Sequence, residues 1–122
     1  MNKKAIITSA LPYSNGEIHL GHVASTYLPA DVTARFLKQS GVEAYYICAS
    51  DDFGTPILIQ SEKEGKTPED YVAHWNKRDL EDFTAFDIEF DFFTRQVHRK
   101  MLILFKMCLG NYKKMVISMK TR

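Results

Sequence analysis

The chain has 122 residues, of which 45% are hydrophobic and 25% are charged, and its formal net charge is +1. These proportions are typical of an ordinary globular domain and argue against intrinsic disorder. The sequence contains no run of about 18 to 20 apolar residues, which a membrane span needs, and its first apolar stretch is too short for a signal peptide. Cys48 and Cys108 belong to no CxxC pair, so we expect free thiols and a cytoplasmic protein.

The first third of the chain predicts a strand, a loop and a long helix. Residues 5–8 form a short apolar, β-branched run typical of a buried strand, and the Pro and Asn-Gly turn formers of residues 10–18 predict a loop. Apolar residues at helical spacing then predict a helix over residues 19–39, in which Pro29 should cause a kink or separate two abutting helices. A Ser-Gly pair at 40–41 supplies a helix stop.

The following residues repeat the strand–helix order. A second buried strand is predicted over 44–48, a turn over 50–54, helices over 56–63 and from Thr67 to about residue 83, and a third strand over 88–93. The second of these helices has a clear start, with a capping hydroxyl, a proline at the first helical position and two acids in the first turn. This order predicts an α/β layered domain with a parallel sheet.

Ligands of parallel α/β sheets bind where strands end and loops lead into helix N-termini. The first such loop ends in His19-Leu20-Gly21-His22. Backbone N–H groups at a helix start attract phosphate, two imidazoles three positions apart lie on one helix face, and Gly21 leaves a flat patch for a purine. This combination suits a nucleoside triphosphate that is attacked at its α-phosphorus.

The alternatives for the two histidines are ordinary surface residues or half of a zinc site. We expect no metal site, because His74 and His98 have no cysteine or acidic pattern near them.

The second loop carries Asp51 and Asp52, followed by Phe53 and Gly54. An acidic residue at a strand end can anchor an ammonium group through charge-assisted hydrogen bonds. It could instead hold Mg²⁺ or cap the following helix.

Together these residues resemble the class I aminoacyl-tRNA synthetases, whose first signature is a histidine–x–glycine–histidine motif after the first strand. Residues 8–22, Thr-Ser-Ala-Leu-Pro-Tyr-Ser-Asn-Gly-Glu-Ile-His-Leu-Gly-His, are similar to the opening of the methionyl branch, as are residues 28–32, 47–51 and 54–57. The resemblance runs to about His98 and implies the N-terminal half of a Rossmann-like, HUP-type catalytic domain. Phe53 departs from the histidine of many relatives, and the Asp-Asp-Phe-Gly form resembles archaeal-type members.

The resemblance implies ATP-dependent activation of methionine to methionyl-adenylate and its transfer to tRNA(Met), with Mg²⁺ accompanying ATP. His19 and His22 would be catalytic, since they would stabilise charge on the phosphates. Asp51 would bind the methionine ammonium, with the backbone of Leu11 and the ring of Tyr13 beside it. The ATP-binding residues that the resemblance implies are Pro12, Tyr13, Asn15, Gly16, His19, Gly21 and His22. The alternatives are another HxGH nucleotidyltransferase and a non-catalytic nucleotide- or RNA-binding module.

Intact members of this family are several times longer than this chain. The resemblance implies that the lysine-rich second signature, the cysteine-rich zinc-binding insertion and the anticodon-binding helices are absent; residues 114–118 lack the central serine and lysine of that signature. Half of a doubly wound sheet would expose an edge strand and an apolar face. We therefore expect weak stability and no aminoacylation by the chain alone.

The composition changes near the end of the resemblance. Residues 92–122 hold eight Lys or Arg and no acid, which indicates either a basic helix that contacts RNA or membrane, or translation out of frame. In the shifted frame the codons of Met115-Val116 force glycine, and residues 114–120 can encode Asn-Gly-Tyr-Ile-Tyr-Glu, which resembles intact family members. We predict a catalytic-domain segment over 1–98 and an aberrant, frameshifted tail over 99–122; a truncated paralogue with an evolved tail is the alternative.

Overall fold

The computed structural model describes residues 4–95, in which three strands alternate with helices. The strands are β1 (Lys4–Thr8), β2 (Glu43–Ser50) and β3 (Phe92–Arg95). The first connection contains α1 (Leu20–His22), a π-helical segment (Val23–Tyr27) and α2 (Leu28–Gln39), and the second contains α3 (Thr55–Lys63) and α4 (Pro68–Ala85). The predicted tail over 99–122, with the frameshift hypothesis, lies outside the described residues.

All three strands are parallel and lie in the order β1-β2-β3. Each strand is therefore joined to its neighbour by a helical crossover, which confirms the predicted α/β class with a parallel sheet. Within residues 4–95, no helix combines the length and the apolar character that crossing a membrane requires.

The core lies on one face of this sheet. Its buried members come from the first helix, from β2 and from the end of the second connection, and they are Val23, Tyr27, Ala34, Tyr46, Cys48, Phe83 and Ile88. Alternate strand residues point to the opposite face, where Ile6, Tyr45 and Phe92 are 56%, 38% and 43% exposed. Consecutive crossovers of the same hand place their helices on the same face, so within residues 4–95 much of the other face is exposed, although Ala49 at the end of β2 is buried there.

The continuous helical segment formed by α1, the π-helical turn and α2 accommodates Pro29 without ending. Leu28 donates its backbone N–H to the carbonyl of Val23, five residues earlier, so the turn before the proline is π-helical. Proline has no N–H, and in a regular α-helix its ring would press on the carbonyl of Ser25; a wider turn relieves this crowding. The interruption that the sequence predicted is thus a change in hydrogen-bond spacing, and not a separation into two abutting helices.

The other helix-terminus predictions are confirmed. The Thr67 hydroxyl accepts a hydrogen bond from the backbone N–H of Asp70 at 3.1 Å and caps α4, with Pro68 at the first helical position. Gly41 follows α2 with a φ of 78°, a left-handed conformation that favours glycine at a helix end.

The third strand begins later than the sequence predicted. The expected strand covered residues 88–93, whereas β3 covers Phe92–Arg95. Ile88 is buried in the core, but its N–H bonds back to the end of α4. The segment before β3 is attached to β2 through Asp91, whose carboxylate accepts a hydrogen bond from the Tyr46 N–H at 2.7 Å. The apolar pattern of this segment therefore reflects packing against the core and only partly strand pairing.

Phe83 provides a test of this core. Its side chain is fully buried, and its ring centroid lies 4.6 Å from that of Tyr27 and 5.7 Å from that of Phe93. Phe83→Ala should lower the free energy of unfolding by about 3 to 5 kcal/mol, because it leaves a cavity between α4 and the sheet. Phe86→Ala, at a position that is 47% exposed, should cost less than about 1 kcal/mol. Urea unfolding followed by circular dichroism measures both, and equal losses would contradict this assignment of the core.

Candidate functional site

The loops that follow β1 and β2 lie side by side at the carboxyl ends of the strands. Asp51 donates its backbone N–H to the Pro12 carbonyl at 2.7 Å, and Ser14 donates its N–H to the Asp51 carbonyl at 3.1 Å. Tyr13 and Asp51 form a parallel β-bridge between these two bonds. The chain thus brings together the two loops that the sequence singled out, and it does so by main-chain pairing beyond the strand ends.

His19 forms the N-cap of α1. Its backbone is extended, with φ of −76° and ψ of 137°, and its Nδ1 accepts a hydrogen bond from the Gly21 N–H at 2.9 Å. Because Nδ1 accepts this bond, the hydrogen of the neutral ring is on Nε2. The exposed side of the ring therefore carries a hydrogen-bond donor.

Gly21 leaves room for this arrangement. A Cβ atom on Gly21 would lie 3.0 Å from Nδ1 and 3.4 Å from Cε1 of His19, so a side chain there would press on the capping ring and shift it by a few tenths of an ångström. The sequence suggested an open patch over Gly21 for a purine, whereas the His19 ring fills part of that space. The His22 ring lies beyond it, 6.0 Å from His19 between centroids and inclined by 67°, and both imidazoles are exposed.

Tyr13 and Leu11 lie on the other side of the first loop, with 38% and 41% of their surface exposed. The Tyr13 hydroxyl lies over Gly54, where a Cβ atom would be only 2.5 Å from it. Gly54 also has φ of 135° and ψ of 156°, a conformation that is essentially restricted to glycine. Gly54 therefore leaves the space that the Tyr13 hydroxyl occupies, a contact that no local sequence pattern predicts.

Asp51 does not cap the next helix. The residue at the N-cap of α3 is Gly54, and the cap receives no side-chain hydrogen bond. Within residues 4–95, the Asp51 carboxylate accepts only a long hydrogen bond, from the Phe53 N–H at 3.4 Å, and the residue is partly exposed. The helix-capping alternative for Asp51 is thus wrong, and a carboxylate remains at the carboxyl edge of the sheet beside Leu11 and Tyr13.

The neighbouring carboxylate, Asp52, is the buried one. Its side chain is only 2% exposed. One oxygen accepts hydrogen bonds from the hydroxyls of Ser14 at 3.0 Å and Ser50 at 2.6 Å. The other oxygen faces Nε of Arg95 at 3.3 Å, and the Ser50 hydroxyl accepts a further bond from Asn76 of α4 at 2.9 Å. The sequence did not distinguish Asp52 from Asp51, because the difference is made by which residues surround each carboxylate.

A second buried carboxyl group, Asp79, lies on the inner face of α4. It is 0% exposed, and among the described residues neither of its oxygens has a hydrogen-bond partner. Burial, together with the negative charges of Asp82 and Asp52, raises its pKa from 3.8 to about 7. The nearby indole N–H of Trp75 is likewise buried without a partner among residues 4–95.

Within residues 4–95, no three His, Cys, Asp or Glu side chains converge closely enough to hold a metal ion. Cys48 is a buried free thiol whose pKa is raised by burial. Cys108 and His98 lie outside the described residues.

Known proteins have a similar fold and a similar sequence. Residues 5–120 match the family model of class I tRNA synthetases (M). The methionine–tRNA ligase of Rubrobacter xylanophilus is 43% identical over 94 residues, which are 77% of this chain and 16% of that protein. The ligase of Methanopyrus kandleri is 48% identical over 91 residues, 75% of this chain and 14% of that protein. The structure of Mycobacterium tuberculosis methionyl-tRNA synthetase in complex with methionyl-adenylate has a TM-score of 0.75 and 22% identity, and covers 80% of this chain and 19% of that one.

The chain therefore belongs to the class I tRNA synthetases. The relatives from Rubrobacter xylanophilus, Methanopyrus kandleri and Nanoarchaeum equitans are all named methionine–tRNA ligase. The chain spans about a sixth or less of the length of the first two of these ligases, 16% and 14%.

Gly54 offers a test of the contact between the loops. Gly54→Ala should lower the free energy of unfolding by about 2 to 4 kcal/mol and shift the ring resonances of Tyr13, because it combines a forbidden backbone conformation with displacement of the hydroxyl. Gly65→Ala is the matched control, since Gly65 also has a positive φ, 64°, but an added Cβ would meet nothing within 4 Å. It should cost only about 1 kcal/mol and leave Tyr13 unchanged. Equal effects of the two substitutions in urea unfolding and NMR would show that Tyr13 does not depend on Gly54.

Asp79 makes the stability of the chain depend on pH. Its pKa is about 7 in the folded chain and 3.8 in the unfolded chain, so the unfolded chain loses its proton first as the pH rises. The free energy of unfolding should therefore fall between about pH 4 and pH 7 and stay level above that window. Asp79→Asn removes this contribution, and its stability advantage over the unsubstituted chain should grow by roughly 2 to 4 kcal/mol across the window. Urea unfolding at several pH values measures this difference in the free energy of unfolding. Glu81→Gln, on the exposed side of α4, is the control, and its stability relative to the unsubstituted chain should not change across the window.

Proposed function

We propose that residues 4–95 supply the ATP and methionine sites of a methionine–tRNA ligase. The reaction is the activation of methionine to methionyl-adenylate, followed by transfer of the methionyl group to tRNA(Met). The observation that carries this proposal is the pairing of the two loops, which places the Asp51 carboxylate and the His19–His22 pair on the same edge of a parallel sheet. The relatives named methionine–tRNA ligase support the choice of amino acid.

The methionine end of the site is formed by Asp51, Leu11 and Tyr13. Among the described residues, the Asp51 carboxylate accepts one long hydrogen bond, which leaves its oxygens available for the ammonium group of the amino acid. The Leu11 backbone would accept a second hydrogen bond from that ammonium group. Gly54 leaves room for the Tyr13 hydroxyl, and the Tyr13 ring would line the pocket beside Asp51.

The ATP end is formed by the first loop and the start of α1. The methionine carboxylate attacks the α-phosphorus, a new oxygen–phosphorus bond forms, and the bond to the leaving pyrophosphate breaks. Negative charge grows on the phosphate oxygens during this step, and the Nε2–H of His19 and the ring of His22 would stabilise it. Gly21 would lie beneath the adenine beside the His19 ring. The remaining ATP contacts that we propose are Pro12, Tyr13, Asn15 and Gly16, with Mg²⁺ accompanying the triphosphate.

Internal contacts hold the first loop in place, which favours its role as a rigid support for the proposed ligand contacts. Asn15 accepts a hydrogen bond from the Tyr71 hydroxyl of α4 at 3.3 Å, and Pro12 and Ser14 are buried. A site that is held in place before substrate binds loses less entropy when it binds. Because the chain corresponds to 16% or less of the two ligases compared above, we propose that it does not complete the reaction alone.

A chimera tests the assignment of these residues. Residues 4–95 would replace the matching segment of the Rubrobacter ligase, and methionine-dependent ATP–pyrophosphate exchange would be measured. The chimera should exchange, and His19→Ala within it should lower kcat by roughly 100- to 1000-fold with little change in the KM for methionine, since the lost donor acts mainly in the transition state.

His74→Ala is the matched control, because His74 is an exposed histidine on α4 away from the loops. It should leave the exchange rate unchanged. Exchange that is insensitive to His19→Ala would refute the assigned role of His19. Clear exchange by the 122-residue chain alone would refute the proposal that this chain needs further residues to catalyse the reaction.

A further inference from the structure

We propose that Asp52 is the positioning residue of this site: it fixes Asp51 against the first loop without touching substrate itself. This inference rests on the proposed function of Asp51 as the ammonium-binding group. Asp52 is adjacent to Asp51 in the sequence, but different residues surround its carboxylate in the fold.

The contacts of Asp52 join three parts of the chain that are remote in sequence. Ser14 comes from the first loop, 38 positions away, and Arg95 from the end of β3, 43 positions away, while Ser50 ends β2. A carboxylate can accept hydrogen bonds from several donors at once, which an amide or hydroxyl side chain cannot do with the same geometry. Asp52 is therefore suited to hold these three segments together.

The main-chain bonds of Asp51 depend on the same junction. Asp51 N–H reaches Pro12 at 2.7 Å, and its carbonyl receives the N–H of Ser14 at 3.1 Å. The Ser14 hydroxyl then bonds to the side chain of the next residue, Asp52, at 3.0 Å. Ser14 thus binds the second loop twice, once through the backbone and once through its side chain, and rotation of the Asp51 peptide would break both links.

The serine hydrogen bonds are shielded from water. Ser14 and Ser50 are both 0% exposed, and α4 covers the junction through the bond of Asn76 to Ser50. Hydrogen bonds to a carboxylate are among the stronger ones, and they are costly to remove when buried. The position of the Asp51 carboxylate is therefore set by a buried network, although the carboxylate itself is partly exposed.

Amide hydrogen exchange in the full 122-residue chain tests this proposal. In Asp52→Asn the Asp51 amide should exchange about tenfold faster or more, since a lost bond to an ionised acceptor changes a local opening constant by about tenfold to a hundredfold. Amides of the β1–β2 ladder should be unchanged, because the effect is confined to the loops. Ser14→Ala should give the same pattern, and it carries the test if Asp52→Asn does not fold.

Ser61→Ala is the matched control. Ser61 is also buried, 1% exposed, and its hydroxyl also makes one hydrogen bond, to the Leu58 carbonyl at 2.9 Å, but that bond lies within α3. This variant should leave the Asp51 amide unchanged. Uniformly faster exchange throughout the sheet, or no change at Asp51, would overturn the positioning role.

A second measurement separates this inference from the proposed function. Methionine affinity would be measured by calorimetry on the chimera described above, where Asp52→Asn should weaken methionine binding by about tenfold and leave the affinity for ATP within about twofold. Faster exchange at Asp51 without weaker methionine binding would confirm the loop contact and reject Asp51 as the ammonium-binding group. Equal loss of both affinities would reject selective positioning by Asp52.

Discussion

The pairing of the first loop with the second, beyond the ends of β1 and β2, is the constraint on which the rest of the site depends. Parallel strands alone would leave both loops free to diverge toward their helices. Here the Tyr13–Asp51 bridge and its two flanking hydrogen bonds continue the ladder. Gly54 leaves room for the Tyr13 hydroxyl, and the buried carboxylate of Asp52 binds the first loop through the Ser14 hydroxyl. As a result, the Asp51 carboxylate and the start of α1, to which we assign the ammonium and phosphate groups of the substrates, lie at the same edge of the sheet.

The same edge shows why two histidines three positions apart are not equivalent. His19 is outside the helix and caps it with Nδ1, whereas His22 is inside and its backbone N–H bonds to the His19 carbonyl at 2.8 Å. The cap orients the first ring and leaves Nε2–H as its outward donor. Gly21 makes room for that ring, so the glycine of the motif serves the histidine before it as well as any ligand.

Burial differs between the two faces of the sheet, as expected for a chain that matches only a small part of the related ligases. The helical residues of the core, Val23, Tyr27, Ala34 and Phe83, lie on one face of the sheet, and Ile6, Tyr45 and Phe92 on the opposite face are partly exposed. Parallel sheets are normally covered on both faces. Asp79 adds a second source of weak stability, because an ionisable group is enclosed there without a hydrogen-bond partner among the described residues. The stability of the chain is thus expected to fall toward neutral pH.

The sequence by itself determined the element order, the helix starts and stops, and the family. These follow from local rules, such as apolar spacing, the Thr67 cap and the His-Leu-Gly-His motif, which act over a few residues. It misplaced β3, because apolar residues packed against a core resemble a strand. Only the tertiary structure decided that Asp52 is buried while Asp51 is not, that Gly54 supports Tyr13, and that Asp79 lies without a partner among residues 4–95. Each of these depends on groups that are distant along the chain and meet only when the sheet and α4 have packed together.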